Sequence, residues 1–182
     1  MGPTGHRLTG IAAGCLAAAA LYPLLNDMSL AAIPAGYVGG TAPDWLEVAH
    51  AEFSSQQQRW VRQSLIPHRT ITHWWPLWLA LLILVIAWPV PAWIIAPGLF
   101  NNHSLFTLNL APLLRAVVAG FTAGGIMHLF MDVPNPSGIP ILTPMAHSRW
   151  SLYWWKSGNA LEPLAGLGMA AIAAGILWLA IH

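Results

Sequence analysis

Charge is what this sequence has least of. Only 7% of its 182 residues are Asp, Glu, Lys or Arg, while 57% are hydrophobic; an average soluble domain is about 25% charged. So few charges cannot clothe a water-facing globule. The formal net charge of +1, with no run of Lys or Arg, excludes a nucleic-acid-binding face. The single cysteine, Cys15, rules out an internal disulfide. Inside an apolar run it reads as a small packing residue, not a thiolate ligand. There is no HExxH helix, which argues against a zinc protease of that type.

What is present is uninterrupted apolar sequence. Residues 8–26, 28–43, 70–114, 116–131 and 163–181 contain no Asp, Glu, Lys or Arg, and one bilayer span takes about 20 such residues. In hydrocarbon only helices or closed barrels satisfy every backbone N–H and C=O, and these Leu/Ala/Ile/Trp runs lack the alternation of a barrel strand. The expected fold is therefore all-α: a polytopic membrane helical bundle of about five transmembrane helices, four if the first two form one span. It forms a single membrane-embedded unit over residues 1–182.

Helices are predicted at about 8–25, 29–43, 74–95, 112–131 and 161–181, with breaks at Asn26–Asp27, at Pro43 and through the Pro/Gly-rich stretch 133–144. Pro89 and Pro91 should kink or end the third. The polar stretch 47–70, with Phe53, Trp60 and Val61 among Gln and Arg, is expected to be a surface loop carrying a short interfacial helix. The Ala-rich end of the first run also fits a cleavable signal peptide, but the run is read as a retained span.

Five spans place Arg7, Arg59, Arg62, Arg69, Arg149 and Lys156 on one side and leave Arg115 near the other. The positive-inside rule makes the first side cytoplasmic, with the N-terminus there and the C-terminus opposite. Trp45, Trp60, Trp74, Trp75, Trp150, Trp154 and Trp155 fall at the same boundary, as an interfacial belt should.

The same topology gathers His6, Asp44, Glu47, His68, His73, His128, Asp132 and His147 at that face. Ionisable groups at the edge of hydrocarbon pair, line a wet cavity or bind an ion. His128 and Asp132, spaced i, i+4, share one helical face, and Asp44 and Glu47, spaced i, i+3, share another if Pro43 opens a helical turn. His68 and His73 converge only if the chain is non-helical near Arg69. Taken singly, each has a plainer reading as a helix-end hydrogen bond, a cap or an interface anchor. Together, imidazoles and carboxylates without sulfur suit a divalent ion, Zn²⁺ ahead of Mn²⁺ or Fe²⁺, one to three in number. Such an ion lowers the pKa of its water and supplies hydroxide. His50, His103 and His182 are read as surface histidines.

The order of motifs carries a resemblance. GH at 5–6, PDWLE at 43–47, HRTITH at 68–73, HLFMD at 128–132 and NPSGIPILTP at 135–144 resemble the YdjM-like family of predicted membrane-bound metal-dependent hydrolases. That resemblance implies His6, Asp44, His68, His73, His128 and Asp132 as metal ligands. Leu46 and Glu47 stand where the family has Asp and His, and Thr70 where it has Gly. The family is in turn distantly similar to zinc-dependent phospholipase C and single-strand nucleases. The expected activity is thus metal-dependent phosphoester hydrolysis on a lipid or lipid-linked phosphate at the cytoplasmic face of the inner membrane. Glu47 or Asp44 would serve as ligand or base, Arg69 and Arg149 as phosphate holders and His147 as general acid. The alternative is a non-catalytic membrane protein with a structural metal site, an interaction or transport subunit.

Overall fold

The computed structural model describes residues 2–67, 69–87, 110–145, 148–154 and 156–182. Helix α1 runs Pro3–Leu25; a 3₁₀ segment, Asn26–Ala31, turns the chain; α2 is Ala32–Gly39 and a single turn, α3, is Ala42–Trp45. The predicted second helix, 29–43, is therefore α-helical only in part. Asn26, Asp27 and Ser29 are weak helix formers. The ring of Pro34 clashes with an α-helical carbonyl four residues back, so Pro34 is tolerated only in the first turn of α2.

Strands β1 (Ala49–Ser54) and β2 (Arg59–Ser64) follow as an antiparallel hairpin, with Phe53 opposite Trp60 and Ala51 opposite Arg62. This corrects the expected interfacial helix, and the fold is mostly helical rather than all-α. The turn is built from the Ser/Gln run: the Ser54 hydroxyl accepts the Gln57 N–H at 3.2 Å and Gln58 takes φ +51. Phe53, Trp60 and Val61 favour extended backbone, and the Phe53 and Trp60 rings meet edge-on at 5.7 Å.

Helix α4 is Trp75–Ala87, α5 is Leu110–Asp132 and α6 is Leu161–Ile181, with a minimal ladder, β3 (Ile139–Pro140) against β4 (Arg149–Trp150), between the last two. The predicted helices at 112–131 and 161–181 are present to within two residues. The third begins as predicted, but its end at Pro89, Pro91 and residue 95 lies outside the described residues. Among those described, the stretches Pro3–Gly39, Ala111–Asp132 and Leu161–Ile181 are long and apolar enough to cross a membrane, and Trp75–Ala87 is shorter.

Within Pro3–Gly39 the chain doubles back. Gly10 faces Gly36 and Gly40, and Gly14 faces Ala32 and Ile33, so α1 and α2 lie antiparallel with backbones in close approach, as small residues permit in membrane bundles. Helix α1 packs on α2, α5 and α6 at once. Ala12, Cys15, Ala18, Ala32, Ala173 and Leu177 form the core there. A second core, of Ala42, Trp78, Leu129, Val133 and Ile139, sits beneath the end of α5. The doubling back returns Gly40 to the level of His6 and sets the start of α1, α3, the start of α4 and the end of α5 side by side.

Candidate metal centre

His128 anchors the site. Its Nδ1 lies 2.8 Å from the Gly40 carbonyl, an acceptor only, so Nδ1 carries the proton and Nε2 presents a lone pair. His73, completely buried in the 3₁₀ turn Ile71–His73, is oriented in the same way. Its Nδ1 faces the Glu47 carboxylate at 3.4 Å and the Thr72 hydroxyl at 3.1 Å, and its Nε2 points at the Nε2 of His128, 3.3 Å away.

Two carboxylates close on the same point. Asp44 Oδ1 is 3.5 Å from His73 Nε2 and 3.8 Å from His128 Nε2. Asp132 Oδ2 is 3.8 Å from the first and 3.7 Å from the second. Each carboxylate thus stands 3.5–3.8 Å from both Nε2 atoms, which are 3.3 Å apart, and the possible ligands fall into two overlapping groups of three, His6–Asp44–His128 and His73–His128–Asp132. For an ion held tetrahedrally by N and O ligands at about 2.0–2.1 Å, neighbouring ligands stand about 3.3–3.4 Å apart. The donor set therefore suits a first-row divalent ion in chemistry, with most of its spacings a few tenths of an ångström wider than that. His6 supplies a further nitrogen: it stacks on His128 with centroids 3.7 Å apart and groups with Asp44 and His128 as possible ligands. Its Nε2 is 3.4 Å from Asp132 Oδ1, and its buried Nδ1 has no hydrogen-bond partner among the described residues.

The surrounding groups hold these ligands in place. Arg69 is in the left-handed region, φ +59, a strained position for a long side chain. It is held there because its N–H donates to Glu47 Oε1 at 3.1 Å and its guanidinium spans Asp132 Oδ2 at 3.0 Å and the Gly138 carbonyl at 2.9 Å. Gly138 itself has φ +54, and a Cβ there would run into the Trp150 carbonyl. Burial alone raises the Asp44 carboxyl, but a hydrogen bond to His73 and the charges of His128, His73 and His6 outweigh it and leave the group at about 2. Asp44 is ionised at neutral pH. With 41% of its side chain exposed, against 3% for Asp132, it is the open edge of the cluster.

Of the residues expected from sequence, the structure brings together His6, Asp44, Glu47, Arg69, His73, His128 and Asp132. His68 and His147 lie outside the described residues. Glu47 stands behind His73 and orients it, the outer-shell carboxylate common to metal-bound histidines; it is not among the converging atoms. Arg69 is spent on Asp132 and Gly138, not directed at open space, and Arg149 is exposed on β4. Leu46 packs against the apolar cluster around Leu129, so the departure there takes no donor from this set. Thr70 has φ −110, a value open to any residue.

Two buried residues were missed. Asn135 donates to Asp132 Oδ1 at 3.3 Å and accepts from Ser157 at 3.0 Å; its place at the head of the NPSGIP motif, separated from HLFMD by two residues, is the available signal. Glu162 accepts from the Gly2 and Gly158 N–H groups at 2.8 and 3.0 Å and ties the start of α1, and hence His6, to α6. A carboxylate at the mouth of an uncharged run was its signal.

Compared with known proteins, the chain matches the family model described as YdjM inner membrane protein over residues 1–181. No match was found among curated proteins or solved structures.

Proposed function

Because the chain belongs to the YdjM inner membrane protein family, we propose that it is a metal-dependent phosphoesterase acting on a lipid or lipid-linked phosphate at the cytoplasmic membrane face. The observation that carries this reading is the convergence of two buried imidazoles and two carboxylates. His73, His128 and Asp132 are buried and bring one ligand atom each within 4.8 Å of one another, and His6 and Asp44 do the same with His128, the mixed nitrogen and oxygen surroundings that a divalent ion takes. His73, His128, Asp44 and Asp132 would hold the ion, with His6 beside them. When bound, the ion supplies Lewis acidity at a phosphoryl oxygen and lowers the pKa of water.

The chain's own residues do the rest. Glu47 and the Gly40 carbonyl fix the two imidazoles, and Arg69 and Asn135 fix Asp132. Asp44, open to solvent, marks where substrate and water arrive. In the hydrolysis the water oxygen bonds to phosphorus and the ester P–O bond breaks. One water proton goes to Asp44 and from there to the leaving alcohol oxygen.

The test is phosphate release from a panel of lipid phosphoesters. Chelation abolishes it, Zn²⁺ or Mn²⁺ restores it, and Asp44→Ala lowers it by more than the roughly 10–100-fold typical of outer-shell losses. Release that survives both chelation and Asp44→Ala sinks the reading. The rival reading is a structural ion: if all four side chains bound it at once, they would leave no place for water. A protein that retains its ion and hydrolyses nothing in the panel decides for that rival.

Five crossings with the N-terminus in the cytoplasm and the C-terminus outside are part of the proposal, supported by the antiparallel return of α2 along α1. In a Cys15→Ala background, His182→Cys should react with a membrane-impermeant maleimide in spheroplasts and Gln57→Cys only after lysis. Equal labelling of both before lysis would rule this topology out.

A further inference from the structure

A cavity of about 530 Å³ opens beside the metal centre between α4, α5 and the β3–β4 ladder. That volume lies within the range of roughly 300–1,000 Å³ usual for ligand sites. Trp75 and Leu79 of α4 and Ile126, Leu129 and Phe130 of α5 form its walls, with Trp150 at one edge. Its described lining residues are all apolar, and the Trp75 indole N–H is already given to the Ile141 carbonyl at 3.1 Å. Water entering it would find no hydrogen-bond partner, and such cavities stay dry or take apolar ligands. Leu129 in α5 and Val133 just past its end, which also line it, directly follow His128 and Asp132, so one stretch of chain forms the wall of the cavity and a wall of the ligand cluster. At its edge Trp75, Trp150 and Phe130 are 43%, 49% and 62% exposed, an apolar rim around its opening.

We propose that this cavity receives the hydrocarbon chain of a long-chain alkyl phosphoester, whose phosphate then reaches the Asp44 edge of the cluster. The inference rests on the phosphoesterase reading for the head of the ligand and on the cavity for its tail. It selects single-chain or lipid-linked phosphates over short, water-soluble phosphoesters.

The probe is hexadecyl phosphate with a diazirine at the chain end, photolysed with the purified full-length protein in non-ionic detergent and mapped by peptide mass spectrometry. Label is expected on Leu79, Ile126 or Phe130. Excess plain hexadecyl phosphate should displace it, and Ile126→Trp should reduce it at least tenfold. Leu79→Trp, on the opposite wall, repeats the test should Ile126→Trp not fold. Label that follows exposed α6 residues such as Leu167 and Leu179 and is not displaced means bulk lipid or a second copy of the chain covers the face, and overturns the proposal. So does unchanged labelling in both folded variants. Release of p-nitrophenol from hexadecyl p-nitrophenyl phosphate, which carries the chain, is followed in parallel. Displaceable labelling without any turnover supports the chain site and refutes the phosphoesterase reading. Turnover with labelling that cannot be displaced does the reverse.

Discussion

His128→Ala should leave the purified protein without its divalent ion, the largest effect expected of any single side chain here. The substitution removes the Nε2 that stands 3.3–3.8 Å from His73, Asp44 and Asp132, and so takes away the ligand common to both possible ligand groups. It also leaves the Gly40 carbonyl without its buried donor, at a cost of about 1–3 kcal/mol. A ligand at 100 times its Kd stabilises the state that binds it by about 2.7 kcal/mol. Zn²⁺ should therefore raise the thermal midpoint of the native protein and leave that of His128→Ala unmoved. Elemental analysis after dialysis checks the first expectation and thermal scanning with titrated Zn²⁺ the second. A variant that keeps a full complement of metal would show that the ion is held elsewhere and that His128 is not its ligand.

The parts of this arrangement that could be read from sequence are those written in residue type along a long run. Helices α5 and α6 follow from stretches free of charge, because hydrocarbon tolerates no other way of satisfying the backbone. The clustering of His6, Asp44, His73, His128 and Asp132 follows from the cost of placing imidazoles and carboxylates at the edge of an apolar bundle. The hairpin 49–64 did not follow. It has no Gly or Pro at its turn, both of its strands are largely exposed, and its aromatic residues fit an interfacial helix equally well by composition. Only the cross-strand meeting of Phe53 and Trp60 decides for strands.

The roles of Glu47 and Arg69 were hidden for a different reason. A carboxylate three residues from Asp44 and an arginine beside His68 look like a base and a phosphate clamp in one dimension. Their duties depend on where the chain turns at Val48, φ +51, and at Arg69, φ +59. Those turns direct the Arg69 N–H and the His73 ring to Glu47, and the guanidinium to Asp132. No local propensity announces a left-handed valine or arginine; tertiary hydrogen bonds impose both.

Gly14→Ala tests whether the centre depends on the α1–α2 hairpin, and its effect should be second only to that of His128→Ala. A Cβ on Gly14 would meet the Ala32 carbonyl oxygen at 2.6 Å and Ile33 Cα at 2.8 Å, while on the other helix Gly36 already faces Gly14 Cα at 2.7 Å by the same measure. Both partners are backbone, which cannot swing aside as a side chain would, so the two limbs must separate. Overpacking of this kind costs about 1–3 kcal/mol, which at about 2–4 °C per kcal/mol for a chain of this size lowers Tm by several degrees. Helix α2 ends one residue before Gly40, whose carbonyl sets the tautomer of His128, so the same displacement should weaken Zn²⁺ binding in a titration of the folded fraction. Gly175→Ala is the control. A Cβ there meets nothing within 4 Å, and replacing Gly by Ala inside a helix gains about 0.5–1 kcal/mol. That variant should melt no lower than the parent and bind Zn²⁺ as the parent does. If Gly14→Ala also left both Tm and Zn²⁺ affinity unchanged, close backbone approach in the hairpin would not be what delivers Gly40 to His128.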